Sequence, residues 1–142
     1  MSARRAAIEV AVGEALPAQS FQVTRASLVA YCGASGDHNV IHWNERIAKA
    51  VGLPDVIAHG MFTMAEAGRV VTDWAGDPGA VEDYSVRFNR PVVVPDDDTG
   101  TTVDVSGVVA EGLGDGRFAV DLTATVEGKG VLSKARAIVH LA

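Results

Sequence analysis

The sequence predicts an α+β domain in which a curved antiparallel sheet wraps around one central helix. Three observations predict it. Gly60 to Trp74 is free of proline, ends before Gly76 and opens on the nearly continuous apolar run Met61-Phe62-Thr63-Met64-Ala65; a helix apolar on most sides is buried on most sides. After it the hydrophobic period changes to two. Tyr84, Val86 and Phe88 share one face, as do Val103, Val105 and Val109, then Phe118 to Val126 at alternate positions, then Ala135, Ala137, Val139 and Leu141, which is the spacing of half-buried strands. Glycine-rich connections at 112–116 and 128–130 suit tight antiparallel hairpins. Four such strands need a filling for their apolar faces, and the helix from Gly60 is the one available.

The elements before the helix are shorter. Ser20 to Thr24 alternates as a strand, and Thr24 suits the N-cap of a helix from Arg25 to about Gly33. Asn44 caps a second helix, Glu45 to Val51, which Gly52 and Pro54 stop. On the central helix Glu66, Arg69 and Asp73 are spaced three and four apart, so they share one stripe that faces solvent or a site.

Length and charge narrow the function classes. A chain of 142 residues is one ordinary domain, expected to span 1–142. Twelve basic residues against eighteen acidic ones give a net charge of −6, which opposes attraction to nucleic acid and to anionic membranes. Cys32 is the sole cysteine, so an intrachain disulfide and a Cys-x-x-Cys metal site are excluded. Arg4 and Arg5 precede no apolar leader segment, and no apolar run reaches the length of a membrane span; the expectation is a cytoplasmic protein. With 48% hydrophobic residues and 21% charged ones, polar surface is sparse, a hint that a second subunit covers part of it.

The chemistry-bearing residues cluster in Ser35-Gly36-Asp37-His38-Asn39-Val40-Ile41-His42 and in Ile57-Ala58-His59-Gly60-Met61. A turn that brings the Asp37 carboxylate to the His42 imidazole makes a pair able to hold a water and move protons near neutral pH. The same residues also suit a structural turn, with Asp37 in an Asx motif and His42 hydrogen-bonded. Asp37, His38, His42 and His59 are all metal-ligand types, although their spacing presents no His-xxx-His face, so no metal is expected. Gly60 opens the buried helix, where free backbone N–H groups polarise a carbonyl or merely cap the helix. Dinucleotide and P-loop glycine signatures are missing, and no cofactor is expected. Arg87, Arg90, Lys134 and Arg136 suit phosphates and equally suit solvated strand positions.

Tyr31, Ser35 to His42 and Ile57 to Met64 together resemble the hydratase motif of the MaoC-like (R)-specific enoyl hydratase and dehydratase family. Gly76 to Val81 and Tyr84 to Phe88 are similar to the B subunit of actinobacterial (3R)-hydroxyacyl-carrier-protein dehydratases. The resemblance implies the hot-dog fold and an enzyme that interconverts (3R)-hydroxyacyl and trans-2-enoyl thioesters of acyl carrier protein or coenzyme A. It implies Asp37 and His42 as the catalytic pair, with Gly60, Asn39 and His59 as oxyanion and substrate-binding residues, Asn39 shaping the turn. It also implies a dimer, either with itself or with an A-type dehydratase subunit. Two departures stand out: Val40 replaces a usual proline, and Gly68 replaces a helix serine of some members. The rivals are a hot-dog thioesterase using Glu66 and a non-catalytic acyl-binding subunit.

Overall fold

The computed structural model describes residues 3–142. In chain order these are β1 (Ala15–Val23), α1 (Arg25–Ser35), α2 (Glu45–Ala50), α3 (Gly60–Ala75), β2 (Val81–Phe88), β3 (Thr101–Gly114), β4 (Arg117–Val126), β5 (Lys129–Gly130) and β6 (Leu132–His140), with a 3₁₀ turn at Val40–His42 that is one of three among the described residues. The strands form one antiparallel sheet in the order β1-β3-β4-β6-β2, and the two-residue β5 pairs with β4. The sheet wraps α3, as the apolar helix and the period-two strands require.

Helix α3 buries Ala67, Val70, Val71, Trp74 and Ala75 against the apolar faces of the strands. Alanines on both surfaces, Ala67 with Ala124 and Ala137, are fully buried or nearly so, which lets helix and sheet approach closely. Two glycines fix how α3 crosses edge strand β2. A Cβ on Gly60 would stand 2.9 Å from the Phe88 ring, and one on Gly68 would stand 3.1 Å from the Tyr84 ring. Eight helical residues rise about 12 Å and four strand residues about 13 Å, so each aromatic of β2 meets a glycine of α3 with the two elements antiparallel. The Tyr84 hydroxyl then donates to the Met64 carbonyl at 2.7 Å, and burial pushes its pKa up to about 12.

The element boundaries differ from the sequence reading in instructive ways. Strand β1 begins at Ala15, five residues before the expected Ser20, and contains Pro17. Proline cannot donate to a ladder and survives only at edges or bulges; β1 is an edge strand, and its register with β3 shifts between Leu16 and Gln19. Helix α1 passes through Gly33 to Ser35 and stops where Gly36 turns left-handed at φ 78°. Helix α2 stops at Ala50 and α3 runs on to Ala75. The 128–130 hairpin turns on Glu127 and Gly128, both at positive φ, the conformation that matches the strand twist.

Candidate active site

Local hydrogen bonds build the turn that carries Asp37 and His42. Thr24 caps α1 in a capping box with Ser27, and Gly36 ends that helix and releases the chain into the turn. The Asp37 carboxylate accepts from the Asn39 backbone N–H at 3.1 Å, and the Asn39 side chain accepts from Ile41 N–H at 3.2 Å. Asp37 therefore does form the Asx motif that its residue type suggested, with one oxygen; the other is left for the cavity. Asn39 caps the 3₁₀ turn Val40–His42 and has no place in the cavity wall, so its role is to shape the turn.

The segment ahead of α3 supplies the opposite wall. Ile57 N–H donates to the Ile41 carbonyl at 3.2 Å and Ala58 N–H to the Val92 carbonyl at 2.8 Å, which pins this stretch between the turn and the strand-like residues after β2. The Ile57 carbonyl then faces His42 Nδ1 at 2.7 Å. A carbonyl only accepts, so Nδ1 carries the hydrogen and Nε2 keeps its lone pair. Asp37, His42, His59 and Gly60 line one cavity of about 340 Å³, with Phe88, Arg90 and Leu132 on its far side.

His59 is 98% buried and acts as a floor beneath His42, whose ring it stacks at 3.7 Å with an interplanar angle of 21°. Its Nε2 donates to the Asp37 backbone carbonyl at 3.1 Å and lies 3.6 Å from Cys32 Sγ, while Tyr31 meets its ring edge-on. Its Nδ1 is buried with no partner among the described residues. His59 thus touches both Asp37 and His42 and offers the cavity almost no surface.

Burial lowers the His42 pKa below the ordinary 6.5, helped by the neighbouring His59, while the Ile57 hydrogen bond and the Asp37 charge pull the other way. His42 is consequently a neutral imidazole through the physiological range, in a cavity that also holds the Asp37 carboxylate. Ligand atoms of Asp37, His42 and His59 lie within 4.8 Å of one another. Stacked imidazoles direct their in-plane lone pairs side by side, however, and a tetrahedral ion needs them to converge.

Gly60 is the first residue of α3, and the first N–H groups of a helix have no intrahelical acceptor. The Phe88 ring, 55% exposed, lies over it, a contact the period-two pattern could not reveal because it assigned Phe88 only to the apolar face. His38 is exposed in the turn and its Nδ1 bonds the Gly36 carbonyl. Glu66 pairs with Arg69 at 3.2 Å, and Asp73 accepts from Gln19 at 3.0 Å; the polar stripe of α3 faces β1 and solvent, away from the cavity.

Comparison with known proteins places this architecture. The MaoC like domain family matches residues 8–127. The chain belongs to the MaoC-like family. Its fold is the hot-dog fold, and a solved MaoC-like dehydratase superposes with a TM-score of 0.93 at 37% identity over 99% of this chain and 43% of that one. The 3-hydroxyacyl-thioester dehydratase X of Mycobacterium tuberculosis is 47% identical over 79 residues, 56% of this chain and 27% of that protein. The (R)-specific enoyl-CoA hydratase of Rhodospirillum rubrum is 32% identical over 90 residues, 63% of this chain and 62% of that protein. The chain thus spans about a quarter of the first relative's length and under two thirds of the second's.

Within this MaoC-like chain, both motif blocks that carried the resemblance meet at one cavity. The replacement at Val40 leaves the 3₁₀ turn intact. Gly68 packs against Tyr84 and also borders a second, apolar cavity of about 220 Å³ farther along α3, lined by Val71, Val81 and Ala137. No helix among the described residues is long and apolar enough to cross a membrane.

Proposed function

We propose that the protein hydrates trans-2-enoyl thioesters and dehydrates (3R)-hydroxyacyl thioesters, with Asp37 and His42 as the reacting groups. One observation carries the reading: His42 presents a lone pair at Nε2, fixed by the Nδ1 bond to Ile57, in the cavity that also holds the Asp37 carboxylate and Gly60 at the N-terminus of α3. In hydration His42 Nε2 takes a proton from water as the water oxygen bonds the β carbon. The alkene electrons move toward the carbonyl, whose developing negative charge the Gly60 N–H and the helix dipole stabilise. The imidazolium then returns the proton to the α carbon. Asp37 holds the second hydrogen of the water and stabilises the imidazolium. Dehydration is the same path reversed, so no atom is left over in either direction.

The acyl tail has room in the apolar cavity beside Gly68. A second subunit fits the open face, because β2 is a sheet edge and Phe88 and Met61 are more than half exposed beside Gly60. The names of the relatives in M. tuberculosis and R. rubrum agree with this chemistry. A thioesterase reading has less support, since Glu66 is ion-paired away from the cavity. Ultraviolet loss of the enoyl chromophore, followed beside a thiol-reactive dye, tests the reaction class. Chromophore loss without thiol release is expected; thiol release without hydration would sink the reading, and neither signal would point to an acyl-binding subunit.

A further inference from the structure

Six polar side chains stand in the wall of the cavity that holds Asp37 and His42, and five of them have partners within the protein. The Asp37 carboxylate accepts from Asn39 N–H, His42 bonds the Ile57 carbonyl, His59 bonds the Asp37 carbonyl, and Asn89 and Arg90 both donate to the Gly130 carbonyl. The sixth is Thr63, 3% exposed, whose hydroxyl bonds no protein group among the described residues. Among those residues, the side-chain polar atom that is both unpartnered and sealed from solvent is His59 Nδ1. The Thr63 oxygen is unpartnered without being sealed, and the space it reaches is this cavity.

A threonine inside a helix commonly returns its hydroxyl to a carbonyl one turn back. Here the carbonyl four residues back is that of His59, and it already accepts from Phe62 N–H at 3.1 Å and Thr63 N–H at 3.2 Å, so both of its lone pairs are in use. Burying a hydroxyl without a partner costs stability that a valine of the same shape would not cost; folding alone gives no reason for threonine at this position. Its place on the helix supplies one. Thr63 lies three residues after Gly60 on α3, so the two share a face. Helical side chains tilt toward the N-terminus, which leans the Thr63 side chain back over the turn where the Gly60 N–H has no intrahelical acceptor. Both residues line the same cavity.

We propose that the Thr63 hydroxyl is a second hydrogen-bond donor to the thioester carbonyl oxygen, acting beside the Gly60 N–H. This rests on the reading of the cavity as a thioester site. As the alkene electrons move toward that oxygen during hydration, its negative charge grows and the bond from a neutral donor becomes a charge-assisted one. The hydroxyl proton stays on Thr63 throughout, so the proton balance among water, His42 and the α carbon is unchanged. A donor whose bond strengthens in the transition state raises kcat and leaves KM nearly as it was.

The test follows hydration of crotonyl- and trans-2-octenoyl-coenzyme A by wild type, by Thr63→Val, which keeps the shape, and by Thr63→Ser, which keeps the hydroxyl. Thr63→Val is expected to lower kcat on the order of 10²-fold with KM little changed, the cost of one lost oxyanion donor, and Thr63→Ser to recover most of that loss. Thermal melting separates this from a packing role: Thr63→Val is expected to melt no lower than wild type while losing activity. The carbonyl itself reports the contact. In an Asp37→Asn background, where turnover is slowed, the infrared carbonyl stretch of the bound crotonyl thioester is expected to rise when Thr63→Val is added. Wild-type kcat in Thr63→Val overturns the proposal, as do equal losses in Thr63→Val and Thr63→Ser. A kcat loss with an unmoved carbonyl band overturns it too, because the hydroxyl then serves the water or the β-oxygen. If Thr63→Val does not fold, Thr63→Ala carries the same kinetic and infrared comparison. Wild type that hydrates either thioester while the variants match it refutes the second donor alone; wild type that neither binds nor hydrates them refutes the thioester reading as well.

Discussion

The two stacked imidazoles carry opposite tautomers, and the difference divides their roles. His42 gives its Nδ1 hydrogen to the Ile57 carbonyl and keeps a lone pair toward the cavity, whereas His59 gives its Nε2 hydrogen to the Asp37 carbonyl and buries the other nitrogen. Asp37→Asn and His42→Gln preserve shape but remove proton transfer, so each is expected to lower kcat by about 10²–10⁴-fold, with Glu66→Gln near wild type; steady-state assays and circular dichroism check activity and fold together. His59→Phe keeps a ring under His42 and loses the bond to Asp37. One such hydrogen bond is worth about 1 kcal/mol, so kcat is expected to fall roughly 5-fold. The phenyl face also favours an imidazolium above it. The acidic limb of the rate profile, set by His42 and lying below the ordinary 6.5 in wild type, is expected to move upward in this variant, and a limb that stays put would refute the stacking argument.

At the level of elements, the caps are what deliver Asp37 and His42 to the cavity. Helix α1 starts on the Thr24–Ser27 capping box and ends on left-handed Gly36, one residue before Asp37. Removing the cap by Thr24→Ala is expected to cost about 1 kcal/mol, read as a lower urea midpoint with unchanged slope, while the pH profile of activity stays as it was because neither tautomer is touched. The Gly36 stop was missed, α1 having been expected to end at about Gly33, while the Thr24 and Asn44 caps were legible in the sequence, because Thr and Asn announce themselves by residue type. The first half of β1 was not. Pro17 reads as a strand breaker until the sheet order shows β1 at an edge, with a register shift beside that residue.

For the whole molecule, burial of His42 links stability to pH. Its folded-state pKa is lowered, so the contribution is fully present above 6.5 and is lost as pH falls through that lower value. Thermal melts between pH 7 and pH 4.5 are expected to show a loss that His42→Gln reduces. Assembly is the other property of this scale. The open β2 edge and the exposed Phe88 and Met61 predict a dimer in light scattering, about twice the 14.8 kDa of one chain. A monomer fully active on long acyl chains would contradict it.

The sequence by itself determined the helix-wrapped sheet, since a helix apolar on most sides and strands apolar on one side have few ways to bury each other. It also singled out Asp37, His42 and Gly60, because unusual residue types sat together in turns and at a helix start. Only the tertiary structure decided which His42 nitrogen is free, that His59 lies beneath that ring, that Phe88 covers Gly60, and that Glu66 faces away. Those facts depend on which segments, distant along the chain, bond to each other: Ile57 to Ile41 and Ala58 to Val92, and β2 across α3. Local propensity and period carry no record of such pairings. They are settled by packing and by the need of every buried polar group for a partner.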